Sequence, residues 1–168
     1  TGTIRKSVMS RLKTYIGGET NSPSFFARGA AATSISNDTL TGIACTDERV
    51  DNGGCYNNTG STVTLNGIST PSYSFAPNVA GKYSVYGKIY MGSSSNYDYR
   101  YGYARINKND SEIDFTMLNL DMGANNGNAM TATCNSVIEM NGSSDYLDLR
   151  GLLTVGSGTP AFKSGVFR

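Results

Sequence analysis

From Ser24 onward the chain alternates apolar and polar positions in short runs, each closed by a cluster of Gly, Asn, Asp, Ser or Pro. A period of two places successive side chains on opposite faces of a strand. Ten strands are predicted: Ser24–Gly29, Gly42–Thr46, Ser61–Asn66, Ser72–Ala76, Gly81–Met91, Tyr97–Asn107, Glu112–Asn119, Ala129–Met140, Asp145–Val155 and Ala161–Phe167. The separators SISND, RVDNGG, GSSSN, NKNDS, DMGANNGN, NGSSD and GSGTP are turn-forming. About ten short strands at regular spacing predict an all-β sandwich or barrel.

Residues 1–22 have a different period. Ile4, Val8 and Leu12 recur at helical spacing among Arg5, Lys6, Arg11 and Lys13, and Gly17-Gly18 would stop such a helix. So short a helix is marginal in water by itself. The segment is therefore either an arm that docks on a partner or an unstructured lead-in to a domain over 23–168. Its basic stretch has no apolar core segment of the kind a secretory signal needs.

Two segments raise particular questions. In Tyr73–Tyr90 the alternation breaks at Ala76-Pro77-Asn78-Val79-Ala80-Gly81 and resumes with Tyr83, Val85, Gly87 and Ile89. Pro77 fixes φ and lacks an amide hydrogen, which suits a turn leaving the strand at Phe75. Gly81 is expected to supply the positive φ or close backbone approach at re-entry. In Tyr97-Asp98-Tyr99-Arg100-Tyr101-Gly102-Tyr103 the four tyrosines alternate strictly, which predicts one Tyr face. Four buried hydroxyls would each need a partner, so this face suits a subunit interface or wet binding surface better than a dry core.

Composition narrows the chemistry. With 14 basic and 13 acidic residues the net charge is +1, which does not suggest a nucleic-acid or membrane surface. There is no His, which removes the usual general base and the commonest metal ligand together. No nucleophile–base spacing stands out among the remaining residues, and the expectation is a non-enzyme without a cofactor. Asn109-Asp110-Ser111-Glu112 and Asp121–Asn126 are rich in oxygen ligands but lack the Asp-x-Asx-x-Asx-Gly pattern of a calcium loop, and are expected to be turns. Cys45 and Cys55 flank a turn-rich segment that a disulfide could close. The alternative is three reduced thiols with Cys134 buried.

Several motifs fall in one order. Pro23-Ser24-Phe25-Phe26-Ala27 opens, Val50–Asn58 follows, and then comes Phe75-Ala76-Pro77-Asn78-Val79-Ala80-Gly81-Lys82-Tyr83. Later come Ala104–Asp110, Val137–Leu149, and a closing Phe162-Lys163-Ser164-Gly165-Val166-Phe167. Over residues 23–168 this order resembles the globular head of complement component q and its relatives in the tumour-necrosis-factor superfamily. It departs from the pattern at Gly142-Ser143-Ser144-Asp145, in the extra stretch TGSTVTLNGISTP, and in lacking a Gly-X-Y run before the domain. The resemblance implies a ten-stranded antiparallel jelly-roll sandwich that assembles as a homotrimer. It is also similar to head and knob modules on bacteriophage virions.

The expected role is therefore structural, on the virion exterior, decorating or cementing the capsid or forming part of a fibre. Its partners would be itself and another virion protein, such as a major capsid or fibre protein. The alternative is the receptor- or glycan-binding tip of a phage tail fibre, with a host surface glycan as ligand. Neither nucleic acid nor membrane is expected as a partner. Phe25, Tyr83, Val85, Tyr97, Tyr99, Tyr101, Tyr103, Phe162 and Phe167 are the candidates for core or trimer interface. Ile4, Val8 and Leu12 are the anchoring positions, and Pro77 and Gly81 the architectural ones.

Overall fold

The computed structural model describes residues 23–29, 33–93, 99–119 and 129–168. The proposed arm, with Ile4, Val8 and Leu12, lies outside them, as do Tyr97 and the stretch Asp121–Asn126. Two antiparallel sheets face each other across one core. Sheet A runs in the order β11 (Ala129–Met140), β8 (Gly81–Ser93), β13 (Pro160–Phe167), β1 (Ser24–Gly29), β4 (Asp47–Asn52), with β2 (Thr33–Ser34) also paired to β13. Sheet B runs β10 (Ser111–Asn119), β9 (Tyr99–Lys108), β12 (Leu147–Val155), β3 (Thr41–Gly42), with β7 (Ser74–Phe75) also paired to β12. A separate hairpin joins β5 (Val63–Leu65) to β6 (Ile68–Thr70).

The alternation read from the sequence is the alternation that is buried. In β8, Val85, Ile89 and Met91 face inward while Lys82, Ser84 and Tyr90 are exposed. Phe75, Phe167, Ile106, Met140, Leu147, Leu149 and Leu153 complete a fully buried layer. At one end the rings cluster. Phe25 stacks on Phe75 at 4.3 Å and on Tyr56 at 5.1 Å, and meets the edge of Phe167 at 4.8 Å. Burying such side chains is the main stabilising term, about 1.5–3 kcal/mol each.

The structure changes several expectations. The strand predicted over Gly42–Thr46 is only Thr41–Gly42, and Asp47–Asn52, expected to belong to a turn, is β4. Its polar sequence DERVDN suits an edge strand of sheet A, exposed along most of its length. The stretch TGSTVTLNGISTP contains the β5–β6 hairpin, turned at Asn66 (φ 50°) and Gly67 (φ 83°) as Asn-Gly favours. Asn57, buried beneath it, donates through Nδ2 to the carbonyls of Ser61, Thr70 and Pro71 at 2.8, 3.1 and 2.8 Å.

The turn after Phe75 does not use Gly81 as expected. Gly81 has no positive φ and opens β8 opposite Met140. The close approach comes from across the corner. At Gly142 (φ 69°) a β-carbon would lie 2.6 Å from the Val79 carbonyl carbon and closer still to the Ala80 amide nitrogen. The corner is also tied by the Tyr83 hydroxyl, which donates to the Val79 carbonyl at 2.7 Å. Gly87 sits mid-strand in an unbroken β8–β11 ladder. A side chain there would meet Leu149 and, at 3.1 Å, the Cys134 sulfur.

All three cysteines are free and buried. Burial pushes the Cys45 and Cys134 thiols up to about 12. Asn109 and Asp110 form the β9–β10 turn with φ 50° and 65°. The Asp110 carboxylate accepts from the Tyr146 hydroxyl at 2.8 Å and pairs with Arg150. Among the described residues no three His, Cys, Asp or Glu converge as metal ligands.

Candidate assembly surface

The outward face of sheet A can be followed row by row, because residues directly opposite in an antiparallel ladder share a face. One row carries Val50, Phe26, Arg168, Tyr86 and Asn135 across β4, β1, the chain end, β8 and β11. Tyr86 and Arg168 exchange backbone hydrogen bonds at 2.7 and 3.0 Å. The neighbouring row carries Asp47, Arg28, Val166, Lys88 and Thr133. Tyr90, which is 42% exposed, lies beyond it. The Arg168 guanidinium stands 5.1 Å from the Tyr86 ring centroid and 6.0 Å from that of Phe26. Asp47 is paired with Arg49 at 2.7 Å, whereas Arg28 and Lys88 have no ion-pair partner among the described residues. Aromatic rings and arginines in such a cluster are what protein interfaces concentrate.

A second unpartnered surface lies at the β10 side of the sandwich. There the edges of sheets A and B meet, and the Asn135 amide donates to Asp114 Oδ2 at 3.1 Å. Ile113, Phe115, Met117 and Val137 are 44%, 50%, 52% and 67% exposed. Phe115 packs edge-on to Tyr103 at 6.3 Å. The charges there are mixed: Glu112 pairs with Arg105 at 3.0 Å, and Glu139 stands opposite Lys82. A large exposed apolar group on an edge strand is an invitation to pairing with another chain.

The tyrosine run divides between two faces. Val155 pairs with Tyr99 and Thr154 with Tyr101, so Arg100 is an extra residue bulged out of β9. Tyr99 consequently enters the core, 5% exposed, and its hydroxyl accepts from the Ser93 amide. Tyr101 and Tyr103 lie on the outer face of sheet B, where the Tyr101 hydroxyl donates to Asp38 at 2.5 Å. The single Tyr face expected from strict alternation is therefore broken by one bulge. Phe25, Val85, Phe162 and Phe167 belong to the core, and Tyr83 packs against it with its ring 5.7 Å from Phe75. None of the sequence candidates within the described residues lies on the outer face of sheet A. That face was readable as the other parity of the same strands, Phe26 beside Phe25 and Tyr86, Lys88 and Tyr90 between Val85, Gly87, Ile89 and Met91.

Among solved structures the chain is similar to that of Eiger TNF from S. frugiperda, with a TM-score of 0.50 and 11% identity, covering 86% of this chain and 92% of that one. The chain has the TNF-like jelly-roll fold. A crystal structure of murine APRIL at pH 5.0 is also matched, with a TM-score of 0.47 and 10% identity over 86% of this chain and 98% of the other. No protein-family model matches the sequence, and no curated protein matches it either. In this TNF-like jelly roll Val137 lies on the same outward face of sheet A as Tyr86 and Lys88, one row away, and Phe115 and Met117 lie on the outward face of sheet B opposite Arg105 and Tyr103.

Proposed function

We propose that the chain is a non-enzymatic homotrimer that forms part of a virion exterior, as a capsid decoration or a fibre component, held to the particle by residues 1–22. What supports the assembly is that one chain exposes both an aromatic, cationic patch and an apolar one. Phe26, Tyr86, Val166 and Arg168 offer an aromatic, cationic face, and Phe115, Met117 and Val137 offer an exposed apolar patch. A head-to-tail contact either closes into a ring or propagates as a filament. Closure at three copies joins each face to the next copy's edge and leaves neither surface exposed. The amphipathic pattern of Ile4, Val8 and Leu12 supports anchoring by the arm.

Light scattering on the purified chain at about 10 μM tests the assembly, with about 54 kDa expected, three times the 17.9 kDa chain. Tyr86→Glu on the face and Phe115→Asp on the edge should each shift the species toward 17.9 kDa without unfolding it. A wild-type monomer at that concentration would refute the trimer. Loss of particle incorporation on deleting residues 1–22, with the trimer intact, tests the anchor separately.

A further inference from the structure

The extra stretch TGSTVTLNGISTP is built as a rigid element that neither sheet uses. Its hairpin, β5–β6, pairs with no strand of either sheet, and Ile68 on its inner side is buried outside the main core cluster. Polar bonds hold it instead. Beneath its base Asn57 donates to three carbonyls, and Asn57 Oδ1 accepts from the Thr59 amide at 2.9 Å and the Thr59 hydroxyl at 2.7 Å. At the tip, Asn66 donates to the carbonyls of Gly53 and Gly54 at 2.8 and 3.0 Å. The element is therefore fixed at both ends before any partner arrives, which lowers the entropic cost of binding.

What it shows to solvent is uncharged. No residue from Asn52 to Gly81 carries a charge, although charged residues make up 16% of the chain. Thr64 and Ser69 stand opposite each other on the outer face of the hairpin, and Thr62 has the same parity as Thr64. Asn58, Ser61, Thr62, Thr64 and Ser69 are all exposed, and none of their side chains is spent on the bonds that hold the element. Tyr73 stands beside them, half-buried and held at φ 55°, a left-handed conformation that bulky residues seldom adopt. A β-carbon on Gly60 would lie 3.0 Å from the Tyr73 hydroxyl, so a glycine is what admits the ring to the 58–61 loop. Backbone strain of this kind collects at ligand sites.

We propose that the 58–62 loop and the outer face of the hairpin bind a neutral oligosaccharide, with one sugar ring against Tyr73 and its hydroxyls meeting Asn58, Ser61 and Thr62. The chemistry selects the class. An ionic ligand would find no counter-charge in this segment, whereas hydroxyl and amide side chains both donate and accept, as sugar hydroxyls do. The partly exposed Tyr73 ring supplies apolar surface for the face of the sugar. A protein partner would need an apolar centre to its contact, and Thr62, Thr64 and Ser69 offer none. None of these residues belongs to the two surfaces proposed for assembly, so binding here does not depend on the trimer.

The test is an array of immobilised neutral oligosaccharides built on glucose, galactose, mannose, N-acetylglucosamine and rhamnose, beside sialylated and sulfated ones, probed with the fluorescently labelled full chain. Saturable binding is expected to at least one neutral class, at micromolar to millimolar affinity, with no gain from sialic acid or sulfate. Tyr73→Gly removes the ring while placing the residue best suited to φ 55°, so the fold is retained, and binding should weaken about tenfold or more. Asn58→Ala alters an exposed side chain and should weaken it about threefold or more. Thr131→Ala, opposite Tyr90 on the outer face of sheet A, should leave binding unchanged. Binding to no neutral class, binding that requires sialic acid or sulfate, or undiminished binding in both Tyr73→Gly and Asn58→Ala would overturn the proposal.

Discussion

Replacing Gly142 by Ala should be among the most damaging single-methyl changes in this molecule, while the same change at Gly81 should cost almost nothing. At Gly142 the new β-carbon would sit 2.6 Å from the Val79 carbonyl carbon and closer to the Ala80 nitrogen. Both obstacles are backbone, so neither can rotate away. A left-handed φ of 69° adds about 1–2 kcal/mol for a residue with a β-carbon. Forcing a methyl into a filled site typically costs a further 1–3 kcal/mol. The lower unfolded-state entropy of Ala returns about 0.4–1 kcal/mol, leaving a net loss of about 1–4.6 kcal/mol. Against a total stability of about 5–15 kcal/mol that is a large fraction. At Gly81 the nearest obstacle is a Tyr83 ring carbon at 3.8 Å, ordinary contact, and φ is not positive. Urea unfolding at one fixed protein concentration reads both variants. With a slope of about 2 kcal/mol/M, Gly142→Ala should lower the midpoint by about 0.5–2.3 M and Gly81→Ala should leave it nearly in place. Equal losses in the two variants, or a loss below about 1 kcal/mol at Gly142, would refute this account of the corner.

Two further predictions concern ionisable groups. With Cys45 and Cys134 pushed up to about 12 from an ordinary 9.0, each carries roughly a thousandfold less thiolate at pH 8 than a free thiol. A thiol reagent at that pH should label neither until urea unfolds the chain; rapid labelling of the native protein would contradict their burial. Asp145 is penalised by burial, but hydrogen bonds from Lys108 (2.8 Å), Asn109 (2.8 Å) and the Asn141 amide (2.9 Å) outweigh this and hold its carboxyl below the usual 3.8. Its stabilising contribution is therefore present above about pH 4, near the unfolded-state value, and is lost as pH falls through the lower folded-state value. Asp145→Asn should reduce stability at pH 7 by about 1–3 kcal/mol. It should also flatten the decline in urea midpoint below pH 4, and an unchanged acid slope would disprove the linkage.

The share of the fold that was legible in the sequence is the share governed by the two-residue period. Strands such as Ser24–Gly29 and Ala129–Met140 stand in the structure with the bounds that alternation predicts. The reason is that a half-buried strand must keep one parity apolar. β4 was not legible, because an edge strand in solvent has no such requirement and DERVDN reads as a turn. The outward face of sheet A was half legible. Tyr86 and Tyr90 are plain in the sequence, but β8 has Tyr on both parities, and parity alone does not say which one meets the opposite sheet.

By itself, then, the sequence determined that this chain is an all-β sandwich or barrel of short strands, and it supplied most of the side chains that fill its core. Only the tertiary structure decided which parity faces outward, because that choice belongs to the packing of one sheet on another. It also separated Tyr99 from Tyr101 and Tyr103 through one inserted residue, Arg100, an event set by pairing with β12. The same holds for the corner at Pro77, where the required glycine is Gly142, 61 residues beyond Gly81 in the chain. Close approach is a property of two segments, and neither carries it alone.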